Sequence, residues 1–387
     1  MTDLLIVGDT ERCMELRHEL PLRIGDPFLY AEIGERRVAV VWSIEGDRIA
    51  AVDPSVEIVP SETISVDDLV AAGVDYYEIV PAQMVRSVRA LGITRARVPF
   101  AFPLRIADAL RADGVELVAD QRLFDERRRR KTAPELEGIR RASQAAIAGQ
   151  AAIAALLARS EPGDGGRMVD GERLTSELLR AAAEEAFAAH GCRSDDAIVA
   201  HGAQAADGHH QGEGQLANDD VVVCDLFPLD LESACYSDMT RTYSVGRPDP
   251  ELVAWHAHTL EALEHVRSLV EPGAHGAELY RSVCRFFEDL GYPTRLSAEE
   301  GTVLREGFNH GLGHGVGLEV HEAPGLSRTG HELVAGDVIT LEPGLYRHGF
   351  GGVRLEDLVV VTEDGCETLT TFPYDLDPAR SVVETAR

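Results

Sequence analysis

Apolar and polar positions in the first 126 residues follow two alternating patterns. Short apolar runs bounded by glycine or charged residues are typical of strands, and apolar residues at helical spacing separate them. This alternation predicts a small α/β domain over residues 1–126, and no catalytic motif is recognisable in it. The predicted strands are 4–8, 36–42, 95–100 and 115–120, and the predicted helices are 65–73 and 102–114.

A change in pattern marks a second domain, which we place at residues 127–387. A basic run at 127–131 is followed by Thr132, Pro134 and Glu135, which have the spacing of a helix cap with a capping box. Apolar residues at helical spacing then predict a long helix. Because the whole chain is strongly acidic, the basic run is interpreted as a solvated linker.

The second domain reads as a mixture of helices and strands. A glycine-rich loop is predicted at 159–170 and a helix at 172–191. From residue 195 onward the chain is strand-rich, and helices near 250–270 and 275–291 interrupt it. The predicted fold class is therefore α+β, with a smaller α/β domain in front.

Composition excludes some partners. The 387 residues include 37 Lys and Arg against 66 Asp and Glu, so the formal charge is −29. Phosphates would be repelled, which argues against nucleic acid or an anionic membrane as partner. The six cysteines are far apart without a C-x-x-C motif, and the start has no apparent leader, so we expect a cytoplasmic protein.

Four acidic residues lie in or at the ends of apolar strands. Asp225 closes the run VVVCD, Asp238 lies in CYSDMTRTYSV, Glu342 follows VITL, and Glu356 lies in GGVRLEDLVVVT. Burying an isolated carboxylate costs several kcal/mol, so each needs a counter-charge. One such residue is ordinarily a salt bridge, but four within about 130 residues indicate a shared counter-charge, such as two divalent metals.

Three histidines share one glycine-rich segment, HGLGHGVGLEVHEAP. His310, His314 and His321 are separated by glycines that give the backbone room to approach a ligand. Other motifs fail on spacing: HELVA and HEAPG lack the second histidine of H-E-x-x-H, and GLGHGVG does not match a phosphate-binding loop. The segment is therefore a candidate site.

The combined motifs resemble a known family, the pita-bread metallopeptidases. This family includes Xaa-Pro aminopeptidases and Xaa-Pro dipeptidases, with methionine aminopeptidases and creatinase as relatives. The matching motifs are CDLFPLDLESACYSDMTRT, HGLGHGVGLEVHEAP, TLEPGLY and GGVRLED, in the family's order. The resemblance covers about 131–387, and the first domain fits a creatinase-type N-terminal domain.

The resemblance implies a set of metal ligands. Asp225 matches the first carboxylate ligand, and Asp238 matches a second that bridges two metals. His314 matches the histidine ligand, and Glu342 and Glu356 match the remaining carboxylates, of which Glu356 also bridges. Glu342 is also the expected proton acceptor for the attacking water.

The resemblance also implies residues on the substrate side. His209 matches a histidine near the attack site, although His210 fits if the loop is one residue shorter. His310 and His321 match histidines that contact substrate and move protons, and Arg354 matches an arginine near the substrate. Arg354 and Glu356 are expected to share one face of one strand.

The implied activity is exopeptidase hydrolysis of short peptides, with Xaa-Pro bonds expected, by a hydroxide between two divalent metals. The oxygen-rich ligand set favours Mn²⁺, with Co²⁺ or Zn²⁺ as alternatives. A homodimer is expected. Aminopeptidase and dipeptidase action both stay open, and a metal-free creatinase-like C–N hydrolase or a non-catalytic binding protein on the same fold are the alternatives.

The sequence departs from the family between the first two aspartates. Asp238 follows Asp225 by 13 positions, about two more than the family pattern. We therefore expect a bulged hairpin whose two aspartates remain opposed.

Overall fold

The computed structural model describes residues 3–385. They form two compact units that divide between Arg128 and Arg129. Within the described range, no helix combines the length and the apolar character that crossing a bilayer requires.

The N-terminal unit is built on one six-stranded mixed sheet. Its strands are β1 (Asp3–Gly8), β2 (Phe28–Ile33), β3 (Arg36–Val41), β4 (Val56–Pro60), β5 (Arg95–Val98) and β6 (Glu116–Ala119). Its helices are α1 (Met14–Glu19), α2 (Ser43–Val52), α3 (Asp67–Ala71), α4 (Tyr76–Leu91), α5 (Leu104–Ala112) and α6 (Gln121–Arg128). The strand order is β4-β3-β2-β1-β5-β6.

The four predicted strands and both predicted helices of this unit are confirmed, but strands β2 and β4 and helices α1, α2, α4 and α6 were not predicted. Strand β4 is mostly half-exposed, so its sequence shows no continuous apolar run. Strand β2 contains Glu32, which accepts hydrogen bonds from Arg127. This charged residue interrupts the apolar run of the strand in the sequence. Helix α4 contains Pro81, which is usually a helix breaker.

The C-terminal unit contains the long predicted helix and several small antiparallel sheets. Its helices are α7 (Ala133–Ala158), α8 (Ser176–Ala189), α9 (Pro250–Arg267), α10 (Gly276–Asp289) and α11 (Pro378–Thr385). Its first strands are β7 (Glu161–Gly163), β8 (Gly166–Val169), β9 (Glu172–Arg173), β10 (Cys192–Arg193), β11 (Ile198–His201), β12 (Asp220–Leu226), β13 (Leu229–Asp230) and β14 (Met239–Val245). The later strands are β15 (Glu306–Gly307), β16 (Gly313–Gly315), β17 (Glu322–Leu326), β18 (Val338–Leu341), β19 (Gly344–Arg347), β20 (Gly351–Arg354), β21 (Asp357–Val361) and β22 (Cys366–Thr368).

Helix α7 begins at the predicted capping box. The Thr132 hydroxyl accepts from the Glu135 N–H at 3.3 Å, and the Glu135 carboxylate accepts from the Thr132 N–H at 2.7 Å. Farther along, buried Gln150 donates to the carbonyl of Cys224 at 2.9 Å and accepts from the Tyr243 hydroxyl at 3.1 Å. These two hydrogen bonds of Gln150 hold α7 against strands β12 and β14.

The basic run before α7 is not a solvated linker, so that expectation is wrong. Arg129 is buried and donates to both carboxylate oxygens of buried Asp337, at 2.9 and 2.7 Å. Lys131 donates to Glu322 at 2.5 Å, and both side chains are almost fully covered. The run therefore belongs to the folded structure and supplies cations to buried carboxylates.

Two other expectations about local structure are corrected. The loop predicted at 159–170 contains the β7–β8 hairpin, whose strands are short and half-polar. The strand expected across 351–362 is broken after Arg354, so that β20 and β21 belong to different sheets. Arg354 and Glu356 consequently do not lie on one strand.

Helix α9 carries a buried histidine that predicts a pH effect. Burial, with a smaller contribution from the Arg241 cation, lowers the pKa of His256 to about 4, although Asp375 and the Tyr374 backbone oppose the shift. Between pH 6.5 and 4 the unfolded chain takes up a proton that the folded chain does not. We expect unfolding free energy to fall by about 2 kcal/mol from this group between pH 7 and pH 5.

The measurement is urea unfolding of wild type and His256→Gln across this pH range. The variant should lose that part of the pH dependence, because its side chain does not titrate. Identical slopes for the two proteins would contradict the assignment.

Candidate metal centre

Asp225 and Asp238 lie on one β-hairpin, which positions them on the same face. Strands β12 and β14 pair antiparallel, with Asp225 opposite Thr240 and Leu226 opposite Met239. The isolated bridge between Leu229 and Tyr236 continues that register. The expected bulge is therefore wrong: the extra residues lengthen the hairpin in register. Because Thr240 and Asp238 are two positions apart, both project to the side of Asp225.

The two glutamates lie at neighbouring strand ends of the five-stranded sheet β17-β16-β18-β21-β22. Glu342 directly follows β18, and Glu356 directly precedes β21. These strands are antiparallel, with Leu341 opposite Asp357, so the flanking glutamates are brought to the same edge. The prediction of acids at the ends of apolar strands is confirmed for both.

His314 lies on the short strand β16, where glycine is required by close strand contacts. A Cβ on Gly313 would lie 2.1 Å from the Thr340 carbonyl oxygen. The lack of a side chain at these glycines therefore allows neighbouring strands to pack closely, and does not make room for a ligand. The His314 Nδ1 lies 3.2 Å from the Gly315 carbonyl, so Nδ1 carries the proton and donates to it. The unprotonated Nε2 then faces the carboxylates.

These side chains converge. The His314 Nε2 lies 3.8 Å from an Asp238 carboxylate oxygen and 3.6 Å from a Glu342 oxygen. One ligand atom from each of Asp238, His314 and Glu356 lies within 4.8 Å of the other two. These three residues have the geometry to hold one metal ion, and Asp225 and Glu342 adjoin them on the same cavity wall.

The electrostatics of the cluster demand positive charge. Burial and the neighbouring carboxylates raise the pKa values of Asp238 and Glu356 well above the usual range. Burial raises the pKa of Glu342 to about 7. One buried oxygen each of Asp225 and Asp238 has no hydrogen-bond donor among the described residues. Carboxylate oxygens left without donors beside an available imidazole nitrogen fit divalent cations.

Arg354 supplies one positive charge from within the cluster, and all three of its nitrogens are engaged. They donate to Asp225 at 2.5 Å, to the Thr240 hydroxyl at 3.2 Å and to the Tyr346 hydroxyl at 3.3 Å. Thr240 in turn donates to Glu356 at 2.6 Å. The sequence interpretation missed Thr240 and Tyr346, although Thr240 lies two positions after Asp238 on the same strand face.

Three other predicted residues line the same cavity, which has a volume of about 680 Å³. The His321 ring lies 4.1 Å from that of His314, measured between centroids. Exposed His209 lies on the wall. Neighbouring His210 is not among the lining residues, and its Nδ1 accepts from the Gly212 N–H at 2.9 Å. The structure thus brings His209, not His210, to the site.

His310 is held in one orientation beside the cluster. Its Nδ1 donates to the Gly311 carbonyl at 2.7 Å and lies 3.7 Å from a Glu342 oxygen. Its Nε2 lies 2.9 Å from the Tyr346 hydroxyl. Removal from solvent and the Arg354 cation lower the pKa of His310 to about 3, so the ring is neutral at pH 7. A neutral ring with Nδ1 protonated accepts a hydrogen bond from the Tyr346 hydroxyl at Nε2.

Comparison with known proteins assigns the class. The model of metallopeptidase family M24 matches residues 137–363, and the chain belongs to this family. Similarity to solved structures confirms the predicted fold class, a pita-bread catalytic domain preceded by an N-terminal domain. The chain is therefore a member of a family of metallopeptidases, as the sequence motifs indicated.

The similarity to individual relatives extends over different lengths of this chain. An uncharacterized peptidase of Staphylococcus saprophyticus is 38% identical over 181 residues, which cover 46% of this chain and 48% of that protein. The Xaa-Pro dipeptidase of Pyrococcus furiosus is 34% identical over 248 residues, 64% of each chain. The chain thus spans about half of the first relative and about two thirds of the second. The solved dipeptidase PepE of Mycobacterium ulcerans is 27% identical, with a TM-score of 0.74 over 97% of this chain and 92% of that one.

Proposed function

We propose that this protein is a dinuclear metal-dependent exopeptidase that hydrolyses short peptides at Xaa-Pro bonds. The observation that carries the proposal is the convergence of four carboxylates, three of them buried, and His314 on one cavity of about 680 Å³. A cavity of this volume is typical of small-molecule sites. The Xaa-Pro preference rests on relatives such as the Pyrococcus furiosus Xaa-Pro dipeptidase.

The residues that would hold two divalent cations are Asp225, Asp238, His314, Glu342 and Glu356, and Asp238 and Glu356 would be shared by both. Two divalent cations there would polarise the peptide carbonyl and lower the pKa of the attacking water. Thr240 holds Glu356 in place through its hydrogen bond, so the ligand set is positioned by the fold.

Proton movements are assigned to side chains on the cavity wall. Glu342 would accept the proton of the attacking water. His321 donates toward the oxyanion or the leaving group, and His209 faces the bound substrate. Neutral His310, fixed by its two hydrogen bonds, orients the peptide beside Glu342.

Metal identity, assembly and location form separate parts of the proposal. The oxygen-rich donor set favours Mn²⁺ over a thiolate-type zinc site, with Co²⁺ and Zn²⁺ as substitutes. The six cysteines are all unpaired, which fits a reducing cytoplasm. Homodimer formation is expected from the family resemblance, and sedimentation of the metal-loaded protein tests it.

The test is metal analysis combined with a peptide assay. We expect two equivalents of metal per chain and release of alanine from alanylproline. Chelation should lower the rate by at least about 1,000-fold, because polarisation of the carbonyl supplies several kcal/mol to the transition state. Re-addition of Mn²⁺ should restore the rate.

A different outcome would favour the alternatives. A folded protein that takes up no metal and cleaves no peptide would overturn the proposal. Turnover of a guanidino substrate without metal would indicate the C–N hydrolase, and tight peptide binding without turnover would indicate the binding protein.

A further inference from the structure

Glu356 lies at the point where the chain crosses from one sheet to another. Strand β20 ends at Arg354 and β21 begins at Asp357, and the two strands belong to different sheets. The backbone N–H and carbonyl of Glu356 therefore lie outside both strands. Because Glu356 is buried, both groups still need hydrogen-bond partners. The partners that satisfy them also fix the position from which the Glu356 side chain extends.

The outer edge of strand β14 supplies both partners. β14 is an outer strand of the sheet β11-β12-β14, and its Thr240 carbonyl accepts from the Glu356 N–H at 3.1 Å. The Glu356 carbonyl accepts from Nη1 of Arg241 at 2.7 Å. Because Thr240 and Arg241 are consecutive on one strand, their side chains leave opposite faces. The Thr240 hydroxyl thus holds the Glu356 carboxylate on the side of the ligands, and Arg241 holds the carbonyl from the other side.

Arg241 is itself held at all three nitrogens. Its guanidinium is buried and also donates to the Thr240 carbonyl at 2.9 Å and to the Asp357 carboxylate at 3.0 Å. Its remaining hydrogen bonds go to three carbonyls of the segment after β22, at 3.2, 3.0 and 3.1 Å: those of Thr370, Phe372 and Pro373. A planar guanidinium bound in this way has one orientation, whereas an ammonium offers a single nitrogen. Arg241 therefore gives the Glu356 backbone a fixed support.

Arg267 binds the same Asp357 carboxylate and offers a comparison. Its Nη1 donates to Asp357 at 2.9 Å and to the Tyr374 hydroxyl at 2.9 Å. Within residues 3–385, the hydrogen bonds donated by the Arg267 side chain end at this pair, whereas those of Arg241 continue to the Glu356 carbonyl. Both arginines thus stabilise one buried charge, and the contact with the Glu356 backbone distinguishes Arg241.

We propose that Arg241 is a positioning residue of the metal centre, which keeps the Glu356 carboxylate at cation-binding distance by fixing the Glu356 backbone. The inference rests on the proposed function, because it concerns a ligand of that site. One ligand atom of Glu356 already lies within 4.8 Å of one from Asp238 and one from His314. Losing a group that orients a metal ligand typically weakens metal binding about 10- to 100-fold. We therefore expect metal affinity to depend on Arg241.

The experiment compares Arg241→Met with Arg267→Met in Mn²⁺ binding, followed by the electron paramagnetic resonance signal of free Mn²⁺. Each substitution removes one cation from Asp357 and keeps a long side chain, so both should lower the free energy of unfolding. Arg241→Met should raise the Mn²⁺ dissociation constant about 10- to 100-fold, and Arg267→Met should leave it within about 2-fold. Urea unfolding of the metal-free proteins measures the loss of stability separately from the loss of metal affinity.

Arg241→Lys carries the test if Arg241→Met does not fold. It keeps a cation beside Asp357, but one nitrogen cannot serve both that carboxylate and the Glu356 carbonyl, so weaker Mn²⁺ binding is again expected. Unchanged affinity in a folded Arg241 variant, or equal weakening by substitution of Arg241 and of Arg267, overturns this inference alone. Failure of both Arg241 variants to fold would also overturn it, because the role would then be structural. If wild type takes up no metal, the proposed function itself fails.

Discussion

Asp238→Asn is expected to lower peptide hydrolysis by at least about 1,000-fold while the protein stays folded. The substitution keeps the shape of the side chain but removes the charge proposed to bridge the two cations. Asp238 is buried, and one of its oxygens has no hydrogen-bond donor among the described residues. Activity on alanylproline and metal content per chain are the measurements.

The stability of the metal-free variant should not fall. Burial and the Glu356 carboxylate raise the pKa of Asp238, because both disfavour the charged form there. Replacing it with an amide removes this repulsion, so unfolding free energy should stay within about 1 kcal/mol of wild type or rise. A large loss of stability would show that Asp238 has a structural role instead.

Asp230→Asn supplies the matched control on the same hairpin. Asp230 is also buried, but it accepts from Arg141 at 3.0 and 2.8 Å and from the Ser233 hydroxyl at 2.7 Å. Losing these charge-assisted bonds should cost about 1–3 kcal/mol of stability. Activity per folded molecule should be retained. Full activity in Asp238→Asn would contradict the bridging role.

Asp337→Ala is expected to lower the free energy of unfolding by about 3–5 kcal/mol. Asp337 is fully buried and accepts two hydrogen bonds from Arg129 and one from the Val334 N–H at 2.9 Å. Its removal leaves the Arg129 guanidinium buried without this partner, and such a charge has no access to water. Urea unfolding of the metal-free protein measures the effect.

Glu367→Gln is the comparison for this prediction. Glu367 accepts from Arg140 in a similar two-bond geometry, at 2.7 and 2.9 Å, but both side chains are about half exposed. An exposed pair contributes about 0–1 kcal/mol, so the control should stay near wild type. Equal effects of the two substitutions would show that burial does not set the strength of the Arg129–Asp337 pair.

The positions of the acidic cluster could be predicted from sequence because local pattern determines them. Glu342 and Glu356 flank neighbouring buried strands at one edge of a sheet, and Asp225 is the second-last residue of buried strand β12 in another sheet. The glycines around His314 predicted that the backbone would lie close to a ligand. In the structure they allow neighbouring strands to pack closely instead. Local pattern therefore marked these acids as candidates, whereas their assignment as a metal-ligand set came from the family resemblance and stays a prediction.

Long-range partners could not be predicted in this way. Arg129 pairs with Asp337 across 208 positions, and no pattern in the basic run indicates that partner. Arg295 also lines the cavity, and it lies in an irregular segment between α10 and β15 that has no periodicity to locate it. The hairpin between Asp225 and Asp238 was expected to bulge, because the length of an insertion does not reveal whether it continues the register.

Lys131 is the single lysine in the chain, and its pairing with Glu322 has a consequence for labelling. The Lys131 side chain is 4% exposed and is paired with Glu322, so it is shielded from acylating reagents in the folded structure. Glu322 directly follows His321 on the chain. Acylation of Lys131 therefore requires this stretch, next to a residue of the cavity wall, to lose its buried pairing.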